Sequence, residues 1–257
     1  MSTKPDPRLY VLMRPETDRA VVLRQGPSKV FCTLGWDLKA DKVVVGQWCK
    51  HKIYVERCDI SSSGKYLVYF ALDGKWSSEA AGAWTAMSYA PYLKAVRLWP
   101  QGNTWGGGGL FYRDREQAPA NVAAMWDDLD EVDGDRLASG GAADRLVRDG
   151  WTKLAKGGFT KPISRTMTLQ TKLVSTRARY GVFIGDAFEA QYGWTWADVD
   201  TKRKRLLWAE AGVLHGAPIK PGKPGGLGAS YEIFDARAMT FEAIAAPYKN
   251  KTVIAKR

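Results

Sequence analysis

The run Lys65-Tyr-Leu-Val-Tyr-Phe70 lies between Ser61-Ser-Ser-Gly64 and Asp73-Gly74, and it sets the grain of the whole chain. A short apolar stretch with turn chemistry at both ends is a strand that must reverse within a few residues. The same cadence recurs at Arg19–Arg24, Lys42–Val45, Lys52–Val55 and Ala95–Trp99, the last closed by Pro100. It resumes after Pro162, where Met167, Leu169, Thr171 and Leu173 fall on alternate positions, the pattern of a half-buried strand. Tyr180–Ile184, Arg205–Ala209 and Tyr231–Phe234 are further strand candidates, and Pro218–Gly228 reads as a Pro/Gly-rich loop. One segment departs from the cadence. Ala142–Leu154 places Leu146, Val147, Trp151 and Leu154 near helical spacing with Ser139 as a cap, although Gly150 weakens it. The expected fold class is mainly β, with one short helix in the middle.

A chain of 257 residues with 45% apolar residues buries a large core without disulfide staples. Its 11 Trp and 11 Tyr suit pleated, half-packed surfaces. Cys32, Cys49 and Cys58 are too few, and odd in number, for a disulfide framework, so they are expected reduced and buried. Met1–Pro7 is polar and no apolar run follows it, so no signal peptide is expected. The longest apolar stretches, such as Tyr66–Leu72, fall far short of a membrane span. The expectation is a cytoplasmic protein with no membrane partner.

Charge divides the chain. Of the net +11, residues 151–257 hold 18 Lys+Arg against 8 Asp+Glu, while residues 1–150 are nearly balanced. No acidic residue occurs from Gly150 to Gly185. The candidate polyanion-binding residues are therefore Lys202, Arg203, Lys204 and Arg205, then Lys220 with Lys223, and Arg177 with Arg179. Tyr180, Trp194, Trp196, Trp208 and Tyr248 interleave with the basic clusters, although a Trp inside a strand is expected in the core. If the 202–205 cluster lies in a hairpin turn, most of its side chains reach solvent together.

Other constellations point to less. Cys49, His51 and Cys58 offer thiolate and imidazole, but not at a paired zinc spacing, and alternate strand residues point to opposite faces. Asp127–Asp135 fails the calcium-loop pattern, because aligning Gly134 puts Leu129 at the first ligand position. It is expected as a solvated acidic loop. Gly106–Gly109 lacks phosphate-loop spacing and is expected as a mobile hinge or a tight corner. Only two histidines are available as general bases, and no nucleophile elbow is present. No catalytic residue, cofactor site or metal site is therefore assigned.

A repeat gives the architectural expectation. Cys58-Asp-Ile-Ser-Ser-Ser-Gly-Lys-Tyr-Leu-Val-Tyr-Phe-Ala71 aligns with Ala197-Asp-Val-Asp-Thr-Lys-Arg-Lys-Arg-Leu-Leu-Trp-Ala-Glu210 on Asp59 and Asp198. A third copy begins at Trp36-Asp37 and runs into Val43-Val-Val45. Each is an Asp, a polar turn and an apolar strand. These segments resemble the blades of β-propellers of the WD40 and TolB-like kind. The resemblance implies propeller-like antiparallel β units, either an incomplete propeller or two lobes, with Asp59 and Asp198 accepting backbone N–H groups at equivalent turns. Residues 1–112 are expected as an N-terminal β-rich region, 113–160 as an acidic linker with the short helix, and 161–257 as a basic C-terminal β-rich region, either separate or one domain with the first. The function implied is a non-catalytic protein-interaction or scaffolding module. The alternatives are nucleic-acid binding through the basic C-terminal region and an enzyme of unknown class.

Overall fold

The computed structural model describes residues 5–27, 30–113, 132–174, 177–221 and 226–255. It is built from antiparallel meanders that follow one another along the chain. β1 (Arg8–Met13), β2 (Arg19–Gln25), β3 (Phe31–Asp37) and β4 (Lys42–Cys49) form the first sheet, in that order. β5 (Lys52–Ile53), β6 (Asp59–Ile60), β7 (Tyr66–Leu72), β8 (Ala83–Tyr89) and β9 (Ala95–Pro100) form the second, in which β5 and β6 both pair with β7. β10 (Leu110–Tyr112) and β11 (Arg136–Ala138) make a two-stranded pair, followed by α1 (Ala142–Arg148). β12 (Thr152–Lys153), β13 (Phe159–Pro162), β14 (Met167–Val174), β15 (Arg177–Ile184) and β16 (Ala187–Gln191) are a third sheet in sequence order. The fourth holds β17 (Trp194–Asp200), β18 (Arg205–Glu210), β19 (Val213–Lys220), β20 (Gly226–Leu227) and β21 (Tyr231–Asp235). β22 (Val253–Ile254) returns to pair parallel with β9.

The chain divides into two compact units. One comprises residues 1–10 and 146–239, and the other residues 11–145 and 240–257. In the first unit, Phe159, Leu169, Tyr180 and Val182 of the third sheet share a core with Ala197, Val199 and Leu206 of the fourth. In the second unit, Val68, Met87, Trp99, Phe111 and Leu137 form a core beneath the second sheet and the β10–β11 pair. Among the described residues no helix is long and apolar enough to cross a membrane.

The strand cadence of the sequence is realised closely, with three differences. Of the expected strand Lys52–Val55 only Lys52–Ile53 pairs, and Val55–Arg57 form a 3-10 turn. β19 runs through Pro218, which falls opposite Arg205 at an exposed position, so the Pro/Gly-rich segment starts later than its composition suggests. The helix is only seven residues long. Gly150 ends it at φ +87°, where Trp151 N donates to Leu146 O at 2.9 Å and Gly150 N to Val147 O at 3.1 Å. A left-handed glycine closing the last turn is a common helix stop. Asp144 accepts from Gly141 N at 3.0 Å, so the start is capped from inside the helix rather than by Ser139.

Three hairpins share one design. Asp37 faces Lys42, Ser61 N donates to Tyr66 O, and Asp200 faces Arg205, so each turn holds four residues. A left-handed residue sits late in each turn: Asp41 at φ 50°, Gly64 at φ 70° and Lys204 at φ 51°. A short polar side chain opens each turn and caps it. Asp37 Oδ1 accepts from Lys39 N and Ala40 N, Ser61 Oγ from Lys65 N and Tyr66 N, and Asp200 Oδ1 from Arg203 N. Asp59 and Asp198 do occupy matching register positions, opposite Val68 and Leu207. They lie two residues before the turns, however, and are buried. Asp59 accepts from Phe111 N (2.8 Å), and Asp198 accepts from Lys161 Nζ (2.7 Å) and its neighbour Val199 N (2.7 Å). The capping role expected of them belongs to Asp37, Ser61 and Asp200.

The glycine run is a packed corner, not a mobile hinge. Gly107 adopts φ +93° against the Phe70 ring, where a Cβ would come within 2.4 Å of Cδ2. Gly108 N donates to Thr85 Oγ1 at 2.8 Å. Of the acidic run, residues 127–131 lie outside the described residues. Asp135 is fully buried, with Oδ2 accepting from Ser62 N, so at this position the expected solvated loop is replaced by an anchor.

Candidate functional site

The basic cluster of the β17–β18 turn separates into two kinds of residue. Arg205 is buried and donates from Nε to Asp200 Oδ2 (3.0 Å) and from Nη1 to Tyr231 Oη (3.0 Å). Arg203 is half-buried and pairs with the same carboxylate at 3.2 Å. Asp200 therefore holds both guanidinium groups inside the hairpin, a role the sequence shows only as an Asp before the turn. Lys202 and Lys204 are exposed. Ile219 N donates to Lys204 O at 2.8 Å, so the exposed Lys220 lies at this same end of the sheet. Lys223 lies outside the described residues. The expectation that most of the cluster reaches solvent together holds for the lysines and fails for Arg205.

Arg177 and Arg179 fall elsewhere, on β15. Directly opposite residues of an antiparallel pair project to the same face, and alternate residues share that face. The β14–β15 register pairs Thr168 with Phe183, Gln170 with Gly181, Lys172 with Arg179, and Val174 with Arg177. β13 adds Thr160 opposite Gln170, and β16 adds Phe188 opposite Phe183. These positions form the outer face, whereas Leu169, Thr171, Tyr180 and Val182 form the buried inner one. Lys172 and Arg179 are both exposed. Like charges placed directly across a strand pair weaken it, and among the described residues neither has an acidic partner. No outer-face position of β13–β16 is acidic: Glu189 follows the opposite parity, and Asp186 lies in the turn before β16.

The aromatics flagged with the basic clusters are mostly structural. Tyr180 and Trp196 are buried. Trp194, Trp208 and His215 form a half-buried stack, with successive centroids 5.3 Å apart and interplanar angles of 20° and 19°. Tyr248 donates its hydroxyl to Lys94 O and meets Tyr89 edge-on at 4.9 Å.

The second unit holds a partly open cavity of about 250 Å³ lined by Gln47, Trp48, Cys49, His51, Tyr69 and Lys94. Burial pushes the Cys49 thiol up to about 11, and the thiol donates to His51 O at 3.7 Å. A thiol that stays protonated at neutral pH is a weak nucleophile. Burial likewise raises the Tyr69 phenol, which donates to Leu93 O. Gln47 Oε1 accepts from Leu93 N (2.7 Å) and Lys94 N (2.8 Å). Gln47 thus fastens Leu93 and Lys94 to β4, and Tyr69 fastens Leu93 to β7.

Cys32 and Cys58 are buried, with thiols pushed up to about 12 by burial, and each donates to a backbone carbonyl, Thr33 O and Tyr54 O respectively. All three thiols are free. Among the described residues no three metal-ligating side chains converge.

No family model and no curated protein matches this chain. Among solved structures, an uncharacterized protein from Listeria monocytogenes is similar at a TM-score of 0.32 and 10% identity, over all of this chain and 87% of that one.

Proposed function

We propose that the protein is a non-catalytic binding module built on propeller-like antiparallel meanders, and that the unit of residues 1–10 and 146–239 takes a polyanion. The cross-strand couple Lys172–Arg179, which among the described residues has no acidic partner and stands on strand positions that hold no carboxylate, carries this reading. A like-charge couple weakens the sheet unless an anion bridges it. The propeller-like description draws support from the shared turn design at residues 37–42, 61–66 and 200–205, and from sheets that follow the chain order. The non-catalytic part draws support from the work the buried charges already do. Asp59 and Arg14 hold the N–H and the C=O of Phe111, Arg145 donates to Cys58 O, Lys161 pairs with Asp198, and Arg205 pairs with Asp200.

The test is binding of inorganic polyphosphate, a chain with charge and no bases, across a salt series. Affinity should fall linearly on log–log axes. Lys172→Gln with Arg179→Gln should reduce the slope by about 1.4, at roughly 0.7 per phosphate contact on a flexible chain. A wild-type affinity indifferent to salt, or a double variant with unchanged slope, refutes the assignment to this face.

A second reading has its own observation. β4 ends the first sheet, and Val44 and Val45 are 48% and 39% exposed on it. An edge strand with exposed β-branched residues can accept a strand from another protein. Val44→Lys should abolish capture of such a partner and leave polyphosphate binding unchanged. Capture that survives the substitution rules this edge out.

A further inference from the structure

Two rungs along the outer face from the Lys172–Arg179 couple stand Phe183 and Phe188, directly opposite each other, with ring centroids 4.9 Å apart and planes at 47°. Phe188 is 52% exposed although it belongs to the edge strand β16. Its ring lies along the sheet because position 181 is glycine: a Cβ there would meet Phe188 Cε2 at 2.2 Å. The ring thus leans over the Gln170–Gly181 rung, toward the charged couple. Strand rise spaces successive rungs by about 6.7 Å, so the lean brings an open aromatic face to within about one rung of two cations, comparable with one nucleotide repeat of an extended strand. Thr168 and Gln170 fill the neighbouring outward positions with hydrogen-bonding groups.

We propose that this outer face of β13–β16 binds single-stranded nucleic acid, with a base stacked on Phe188 beside Phe183 and the adjoining phosphates on Lys172 and Arg179. The proposal rests on the polyanion reading above and adds the base. A flat sheet carrying exposed rings beside cations is how sequence-tolerant single-strand binders work, since every base offers a π-face. A duplex keeps those faces stacked inside and would meet only the cations, leaving the aromatic rung without a role.

The experiment is fluorescence anisotropy with a labelled oligothymidylate of about 12 nucleotides. The competitors are inorganic polyphosphate and a duplex of mixed sequence, and the full chain is used. Wild type should prefer the single strand over both competitors. Phe188→Ala should weaken oligothymidylate binding about tenfold or more, the equivalent of losing one stacked base at 1.4 kcal/mol per tenfold. It should leave the salt slope and the polyphosphate affinity unchanged, because no cation is removed. Phe188→Tyr should restore binding. Lys172→Gln with Arg179→Gln should flatten the salt slope for both ligands. Because Phe188 is exposed on an edge strand, its replacement is expected to leave the thermal transition within a few degrees. A Phe188→Ala variant that binds oligothymidylate as the wild type does overturns the stacking proposal while polyphosphate binding upholds the polyanion reading. Equal affinity for duplex and single strand overturns it in the same way. If neither oligothymidylate nor polyphosphate binds, both readings fall.

Discussion

Lys161 belongs to the basic excess of the C-terminal half, yet its ammonium is buried against Asp198, so it should act on stability and not on polyanion binding. Nζ lies 2.7 Å from Asp198 Oδ1, with the two side chains 8% and 11% exposed, and sits 5.8 Å from the Trp151 ring centroid. Removing one member of a buried pair leaves an uncompensated charge and costs about 3–5 kcal/mol, whereas removing both can be close to neutral. Lys161→Met leaves the Asp198 carboxylate, among the described residues, with the Val199 N–H as its one donor. Asp198→Asn strands the ammonium but keeps an oxygen for Val199 N. At an m-value of about 2–3 kcal/mol/M, a single loss near 3 kcal/mol lowers the urea midpoint by about 1–1.5 M. The double variant should lose no more than the worse single, giving a coupling of about 3 kcal/mol. Equilibrium urea unfolding followed by tryptophan fluorescence and circular dichroism measures all four proteins. Additive losses, or single losses under about 1 kcal/mol, would refute the claim that burial makes this pair interdependent. A changed polyphosphate affinity in Lys161→Met would show instead that the residue reaches the ligand.

Two further outcomes follow from burial and backbone geometry. Cys49 is raised to about 11 and Cys32 and Cys58 to about 12. An unfolded thiol ionises near pH 8.5, so the thiols' contribution to stability is intact below that pH and is lost as pH climbs toward 11–12. Native-state alkylation by iodoacetamide at pH 8, read by mass spectrometry, should accordingly be slow, with the less buried Cys49 modified first; rapid modification of all three would contradict their burial. Gly107→Ala should cost about 2–4 kcal/mol, combining left-handed strain with a clash against the buried Phe70. Gly74→Ala, at φ +77° in open space, should cost only about 1 kcal/mol, and equal losses at the two sites would show that packing at the corner is irrelevant.

Strands were legible because alternation and turn chemistry are local. Lys65–Phe70 between its serine-rich and Asp-Gly flanks becomes β7 within a residue at its start and two at its end. The repeat was legible too, but its phase was not. Asp59 and Asp198 match in register, while the capping residues two positions later are Ser61 and Asp200. A serine and an aspartate perform the same turn function, so an alignment seeking identical letters settles on the acids that are buried. The sequence also cannot say where a buried carboxylate reaches. Asp59 serves Phe111, and Asp198 serves Lys161, and both partners are remote along the chain. Gly106–Gly109 misleads for the converse reason: glycine permits a mobile hinge and a crowded corner alike, and only the presence of Phe70 and Arg57 against the backbone decides.

For the candidate site, charge counting points to residues 151–257 and, within them, to the densest basic run. The densest run, Lys202–Arg205, looks strongest on paper, yet density at a tight turn lets one carboxylate, Asp200, engage two of its four cations. In the proposed site the sparser residues carry the argument because of register. Arg179 is one of two arginines in β15, and nothing in the sequence marks it as standing across from Lys172. That pairing depends on the turn between β14 and β15, which sets which residues oppose each other. A shift of one residue would bury Arg179 and expose Tyr180. Phe188 is hidden in the same way, since an isolated Phe in a short strand is expected in a core, while its outward position follows from the β15–β16 register and its lean from a glycine on the neighbouring strand. A binding face of a sheet is written in the parity of several strands at once, so it becomes visible only when their registers are known together.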